Sequence, residues 1–227
     1  MYTGSSISAA AIVEHLLNMT RDVEDLVYTV KRVLNRETQV RAETIEKLYR
    51  QEILPYKGTL ENMTSKLFEF LASGRLTLVD MSEYYLNSAI QLERAGQSIE
   101  ASVYRLLLLA SLKVELTTET LELLRGLYDK MEDSIRSLTS IMRLLQNMRG
   151  EEAYRMLEDR VRKLKETEEE ADALYRKAYA HIVSVFNDKP RELIVLKDML
   201  ELVESAIDRI LEAGNYMRII AVATITR

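Results

Sequence analysis

Two pairs of carboxylates stand out by their spacing. Glu168 and Asp172 are four residues apart, and so are Glu204 and Asp208. On a helix, residues four apart share a face, with Cβ atoms roughly 5–6 Å from each other. Both pairs border apolar stripes. The run Val161, Leu164, Ala171 keeps a three-to-four rhythm only if Glu168 fills its gap, and Asp172 lies one turn beyond. In the last segment Leu200 is followed by Glu204, Asp208 and then Leu211. Like charges at this spacing repel, and partial burial makes the repulsion costlier. Arg or Lys partners could offset it, and so could a bound cation. An all-oxygen donor set from two neighbouring helices suits a hard or borderline ion: Fe, Zn, Mg, Mn or Ca.

The competing reading is a solvated helix face. With 36 acidic residues in 227, about six acid pairs at this spacing arise by chance. These two pairs differ from a chance pair because they fall on consecutive segments of the same half. If those segments are antiparallel neighbours, four carboxylates converge. Glu168, Asp172, Glu204 and Asp208 are therefore the candidate metal ligands.

The elements that must position them are helices. The chain has seven Gly and two Pro, too few for the many turns of a sheet protein. Straight-chain helix formers and Ala dominate. Turn signals at Asn35–Thr38, Ala72–Leu76, Leu112–Thr118, Asn147–Gly150 and Asn187–Pro190 divide the chain into six segments, near 7–34, 39–71, 78–112, 118–148, 151–187 and 190–222. Each would span about 45 Å as a helix. Pro55 falls inside the second and should kink or break it. Leu124, Leu127, Met131, Ile135, Leu138, Ile141 and Leu145 make a continuous stripe in the fourth, as a bundle helix requires. The expected fold class is all-α.

The six segments read as two copies of three, dividing at 113/114. A shift of 111 pairs Val13 with Leu124, Leu34 with Leu145 and Leu92 with Val203; a shift of 116 pairs Ile45 with Val161, Leu67 with Val183 and Phe70 with Phe186. Under these shifts Glu52 matches Glu168 and Glu93 matches Glu204, but Tyr56 and Gln97 stand where Asp172 and Asp208 would be. Two carboxylates hold a cation less well than four. Residues 114–227 should therefore carry the stronger site, and residues 1–113 a degenerate one.

Composition excludes several functions. There is no Cys, hence no disulfide, thiolate metal site or cysteine nucleophile. A formal charge of -5 argues against nucleic acid as a general partner. The longest apolar runs, Leu106–Ala110 and Ile219–Ala223, are far below the ~20 residues of a membrane span. The N-terminal MYTGSSISAAAIVEH lacks the basic and apolar regions of a signal peptide, so a cytoplasmic location is expected.

The stretches Glu168-Glu169-Glu170-Ala171-Asp172, Leu196-Lys197 and Val203-Glu204-Ser205-Ala206-Ile207-Asp208 resemble the PhoU family, and most closely its PhoU-like phosphate-transport regulators. Leu92-Glu93-Arg94-Ala95-Gly96-Gln97 resembles that family's L-E-R-x-G-D signature, with Gln97 in place of Asp. The resemblance implies two three-helix bundles carrying E-x-x-x-D metal motifs. It places the ligands at Glu168, Asp172, Glu204 and Asp208. It also implies a regulatory role at the cytoplasmic side of a phosphate transporter or on its signalling partner, at the inner face of the membrane, with homo-oligomers allowed.

Two rival functions are weighed. A ferritin-like di-iron enzyme needs Glu-x-x-His twice. Ala178 precedes His181 by three and Ile12 precedes His15, so neither fits. No phosphate-binding loop or nucleophile elbow is present, and no catalysis is expected. A metal-free helical adaptor is the other rival, and metal content separates it from the metalloregulator.

Overall fold

The computed structural model describes residues 4–36, 42–72, 81–146 and 150–225. Every element among them is helical. Helix α1 spans Gly4–Arg36. Helix α2 is one rod made of Ala42–Leu48, a π-helical turn Tyr49–Ile53, and Leu54–Ala72. Helices α3 (Ser82–Ser111), α4 (Thr118–Gln146), α5 (Gly150–Val185) and α6 (Pro190–Ile225) follow. No described helix is long and apolar enough to cross a membrane.

Local chemistry explains the ends. Thr117 Oγ1 accepts the Thr120 backbone N–H at 3.1 Å, an N-cap that starts α4. Gly150 opens α5 at φ 75, a backbone angle that an L side chain resists. Pro190 begins α6, where its missing N–H costs nothing. The breaks expected at Asn35–Thr38, at Ser73-Gly74 and at 147–149 lie wholly or largely outside the described residues.

Pro55 does not break its helix. The turn before it widens instead, and the Leu54 N–H donates to the Tyr49 carbonyl, five residues back. A proline ring collides with the carbonyl of residue i−4, and a wider turn relieves that collision.

Helices α1, α2 and α3 pack on one another, as do α4, α5 and α6. The two sets meet through α3 against α6, the most extensive helix pair, and α1 against α4. Both cross-pairs are antiparallel, as their side-chain bonds show. Along α1 and α4, Gln146 bonds Glu14 at 3.2 Å, Arg136 faces Glu24 at 3.5 Å, Lys31 pairs with Asp129 and Glu132, and Arg125 Nε donates to the Leu34 carbonyl at 2.8 Å. Along α3 and α6, Ser88 Oγ donates to the Ala213 carbonyl at 3.2 Å and Arg209 to Gln91 at 3.3 Å. One apolar core, fed by all six helices, runs through both sets.

Along α3 and α6 the burial pattern agrees at positions 111 residues apart. Leu92, Ala95, Ile99 and Leu106 match Val203, Ala206, Ile210 and Met217, all buried. Along α2 the expected shift needs correction. Leu67 is 3% exposed whereas Val183 is 40%, and Phe70 is 41% exposed whereas Phe186 is 1%. The π turn is the cause, because a five-residue closure takes in one extra residue. Beyond it the shift drops from 116 to 115. Leu67 then matches buried Ile182, and Leu71, packed against the core, matches Phe186.

Candidate functional site

Helices α5 and α6 are packed neighbours, joined by the short link after Val185. Their buried stripes include Val161, Leu164 and Ala171 on α5 and Val203, Ala206 and Ile210 on α6. Glu168 and Asp172 flank the first stripe, and Glu204 and Asp208 the second. Three of the four carboxylates are half-buried, and Asp208 is exposed.

Their electrostatics show that they face one another. Burial, then Asp208, Asp172, Glu168 and Glu201, push Glu204 up to about 7. Glu168 is raised by burial, then by Asp172 and Asp208, against the opposing charge of Lys165. Asp208 is raised by partial desolvation of its carboxyl and then by Asp172, with Arg209 opposing. Glu168, Glu204 and Asp208 thus each sense an acid on the other helix. Nearby cations relieve little of this. Arg176 reaches Asp172 at 3.2 Å, one turn along the same helix. Arg209 is turned to Gln91 and Glu212.

The donor chemistry fits a hard cation, since four oxygen acids share one seam and only Asp172 has a cation in direct contact. The side chains do not, as they stand, converge on a common point. Among the described residues no three carboxylate, imidazole or thiol groups lie close enough to hold one ion.

The first half is built differently at each matching position. Arg32 of α1 reaches both oxygens of Glu52, at 3.0 and 2.8 Å. Gln97 Nε2 donates to Glu93 at 3.0 Å. With the register corrected by the π turn, Asp172 is matched by Lys57, not by Tyr56. Lys57 Nζ lies 3.4 Å from Glu100, a buried acid that also accepts the Tyr49 hydroxyl. Tyr56 instead matches buried Ala171 and leans on the core.

Sequence reading missed three residues that matter here. Arg176 was findable, being four residues after Asp172. Lys57 was hidden by the π turn. Arg32 lies twenty residues from Glu52, and no helical spacing links them.

No protein-family profile matches the chain, and no curated protein sequence matches it. Solved structures do. PhoU from Pseudomonas aeruginosa superposes with a TM-score of 0.68 over 96% of this chain and 98% of that one, at 16% identity. A PhoU-like phosphate regulatory protein from Shewanella oneidensis MR-1 superposes with a TM-score of 0.69 over 94% of this chain and 100% of that one, at 12% identity. With two packed sets of three long helices matched from end to end, the chain has the PhoU fold.

Proposed function

We propose that this protein regulates phosphate uptake through protein contacts, and that the α5–α6 seam holds a divalent or ferric cation. The observation that carries the reading is a seam of four carboxylates of which only Asp172 is met by a cation, on a fold shared with phosphate regulators. Glu168, Asp172, Glu204 and Asp208 would hold the ion. Bound there, it would neutralise the seam and present a fixed charge for docking. The expected partner is a phosphate transporter or its signalling protein at the inner face of the membrane. The two His serve packing in this reading. His15 Nε2 lies 2.9 Å from the Met63 carbonyl, and His181 Nε2 lies 3.0 Å from Thr120 Oγ1. Neither faces the carboxylates, so we assign no catalysis.

Elemental analysis of purified protein tests the ion. Glu204→Ala and Asp208→Ala should each lose most of the metal found in the wild type. Equal metal in all three samples overturns the site. Co-purification with a phosphate transporter tests the partner.

A second reading has its own support. Because no three acids share ligating reach and Arg176 already pairs with Asp172, a metal-free adaptor would use the same fold. Metal-free wild-type protein that still captures the transporter would favour it.

A further inference from the structure

A second feature lies on the other flank of α5. At 100° per residue, Lys163 and Thr167 point about 140° away from Glu168 and Asp172, towards α4. There the α4–α5 seam opens into a groove of about 380 Å³. The two helices run antiparallel, with Lys130 paired to Glu170 at one end. That register sets Ser137 and Ser140 of α4 across from Lys163 and Arg160 of α5, and all four line the groove.

The groove is a departure from the repeat. A shift of 111 puts Lys130 and Ser137 where the first half has Met19 and Leu26, both fully buried. Leu26 there closes the seam, packing near Gly96 and Leu60. Polar side chains at the matching positions leave the second seam open.

Most charges around the groove are already paired. Lys130 is taken by Glu170, Arg136 by Glu132 and Glu24, and Glu166 lies 4.0 Å from Arg162. Arg160 and Lys163 have no acidic partner among the described residues. They sit three residues apart on one helix face, where like charges repel. Of the three exposed acids in the lining, Glu170 and Glu166 lie beside Lys130 and Arg162, and Asp133 is seven residues from Ser140, roughly 10 Å along the helix. The Arg160 end therefore combines two uncompensated cations with two facing hydroxyls, which is the donor set for a tetrahedral oxyanion.

We propose that this end of the groove binds a small doubly charged oxyanion, inorganic phosphate or the head of a phosphate monoester. Arg160 and Lys163 supply the counter-charge, and Ser137 and Ser140 donate hydrogen bonds. The groove's volume suits a small molecule and not a polypeptide or a lipid surface. The inference is independent of the acidic seam.

The test is calorimetric titration of the full chain, dialysed against a chelator, with inorganic phosphate and separately with glycerol phosphate at constant ionic strength. Saturable binding is expected, weakened roughly tenfold by Arg160→Gln or by Lys163→Gln and lost in the double variant. Lys47→Gln, at the matching position of the first half, should change nothing. All these side chains are exposed, so folding, checked by circular dichroism, should be unaffected. Whichever anion binds tighter identifies the source. Absence of saturable binding to the wild type, equal affinity in the double variant, or binding that returns only when a metal is added would each overturn the proposal.

Discussion

The two halves of this protein solve one electrostatic problem in opposite ways. Both place glutamates beside the buried stripes of their second and third helices. In the first half each acid is answered from within the chain: Arg32 grips Glu52, Gln97 caps Glu93, and Lys57 stands where a second carboxylate would be. In the second half four acids face one another, and the nearest cation, Arg176, meets only Asp172. The first half answers its acids with an arginine, an amide and a lysine of its own. The second leaves three of its four acids without a cation in direct contact. On the other flank of α5 the contrast inverts: Met19 and Leu26 seal the first half's seam, whereas Lys130 and Ser137 open the second's. A duplicated fold keeps its packing in both copies and can specialise one of them through a few polar positions.

The largest effect should come from what the halves share. Leu48 and Leu164 occupy matching buried positions, and Leu→Ala at either should cost about 2–5 kcal/mol in urea unfolding. A much smaller cost at Leu48 would break the equivalence of the two cores.

Next, the first half can be given the second half's charges. Lys57→Asp combined with Gln97→Asp removes two of the three internal answers, keeps Arg32 on Glu52, and leaves Glu100 buried without its ammonium. Metal-free protein should lose about 2–3 kcal/mol, since a buried acid losing a charged partner costs that order. Isothermal titration with Mn²⁺ should then gain one equivalent. A variant that is destabilised but gains no ion would show that charge excess alone does not make the site.

The reverse exchange should stabilise. Asp172→Lys installs the Lys57 solution in α5, abolishes ion uptake, and raises the metal-free melting temperature by a few degrees, about 1 kcal/mol. It should also bring Glu204 back down from about 7, which carboxyl NMR would read.

The smallest effect is the pH dependence. The Glu204 carboxyl is raised on folding, so between pH 4.5 and about 7 the native state holds a proton that the unfolded chain has lost. Its contribution is fully present below pH 4.5 and is lost as the pH rises through 7. Screening at this half-exposed seam limits it to about 1 kcal/mol. Melting curves of metal-free protein at pH 5 and pH 7.5 should show it, and Glu204→Gln should flatten the difference.

The helices and their pairing into halves were legible because burial imposes a 3.6-residue period that a chain cannot hide. Pro190 marked the α5–α6 link, and the gap in the α5 stripe singled out Glu168. The acids on α5 and α6 could be named from spacing alone, since residues four apart share a helix face whatever else the chain does. Their mutual approach could not, because that depends on which faces two helices turn to each other. The same limit hid Arg32 above Glu52, two residues brought together by packing across twenty positions. It hid the groove as well, whose walls belong to different helices. The π turn marks the boundary most sharply. Pro55 announced a local disturbance, but only the folded helix decided that it would be absorbed as one extra residue, which moved Lys57 into the place expected for Tyr56. Periodicity counts residues along one helix at a constant angle, and where the backbone changes that angle or a neighbour supplies the partner, the answer resides in three dimensions.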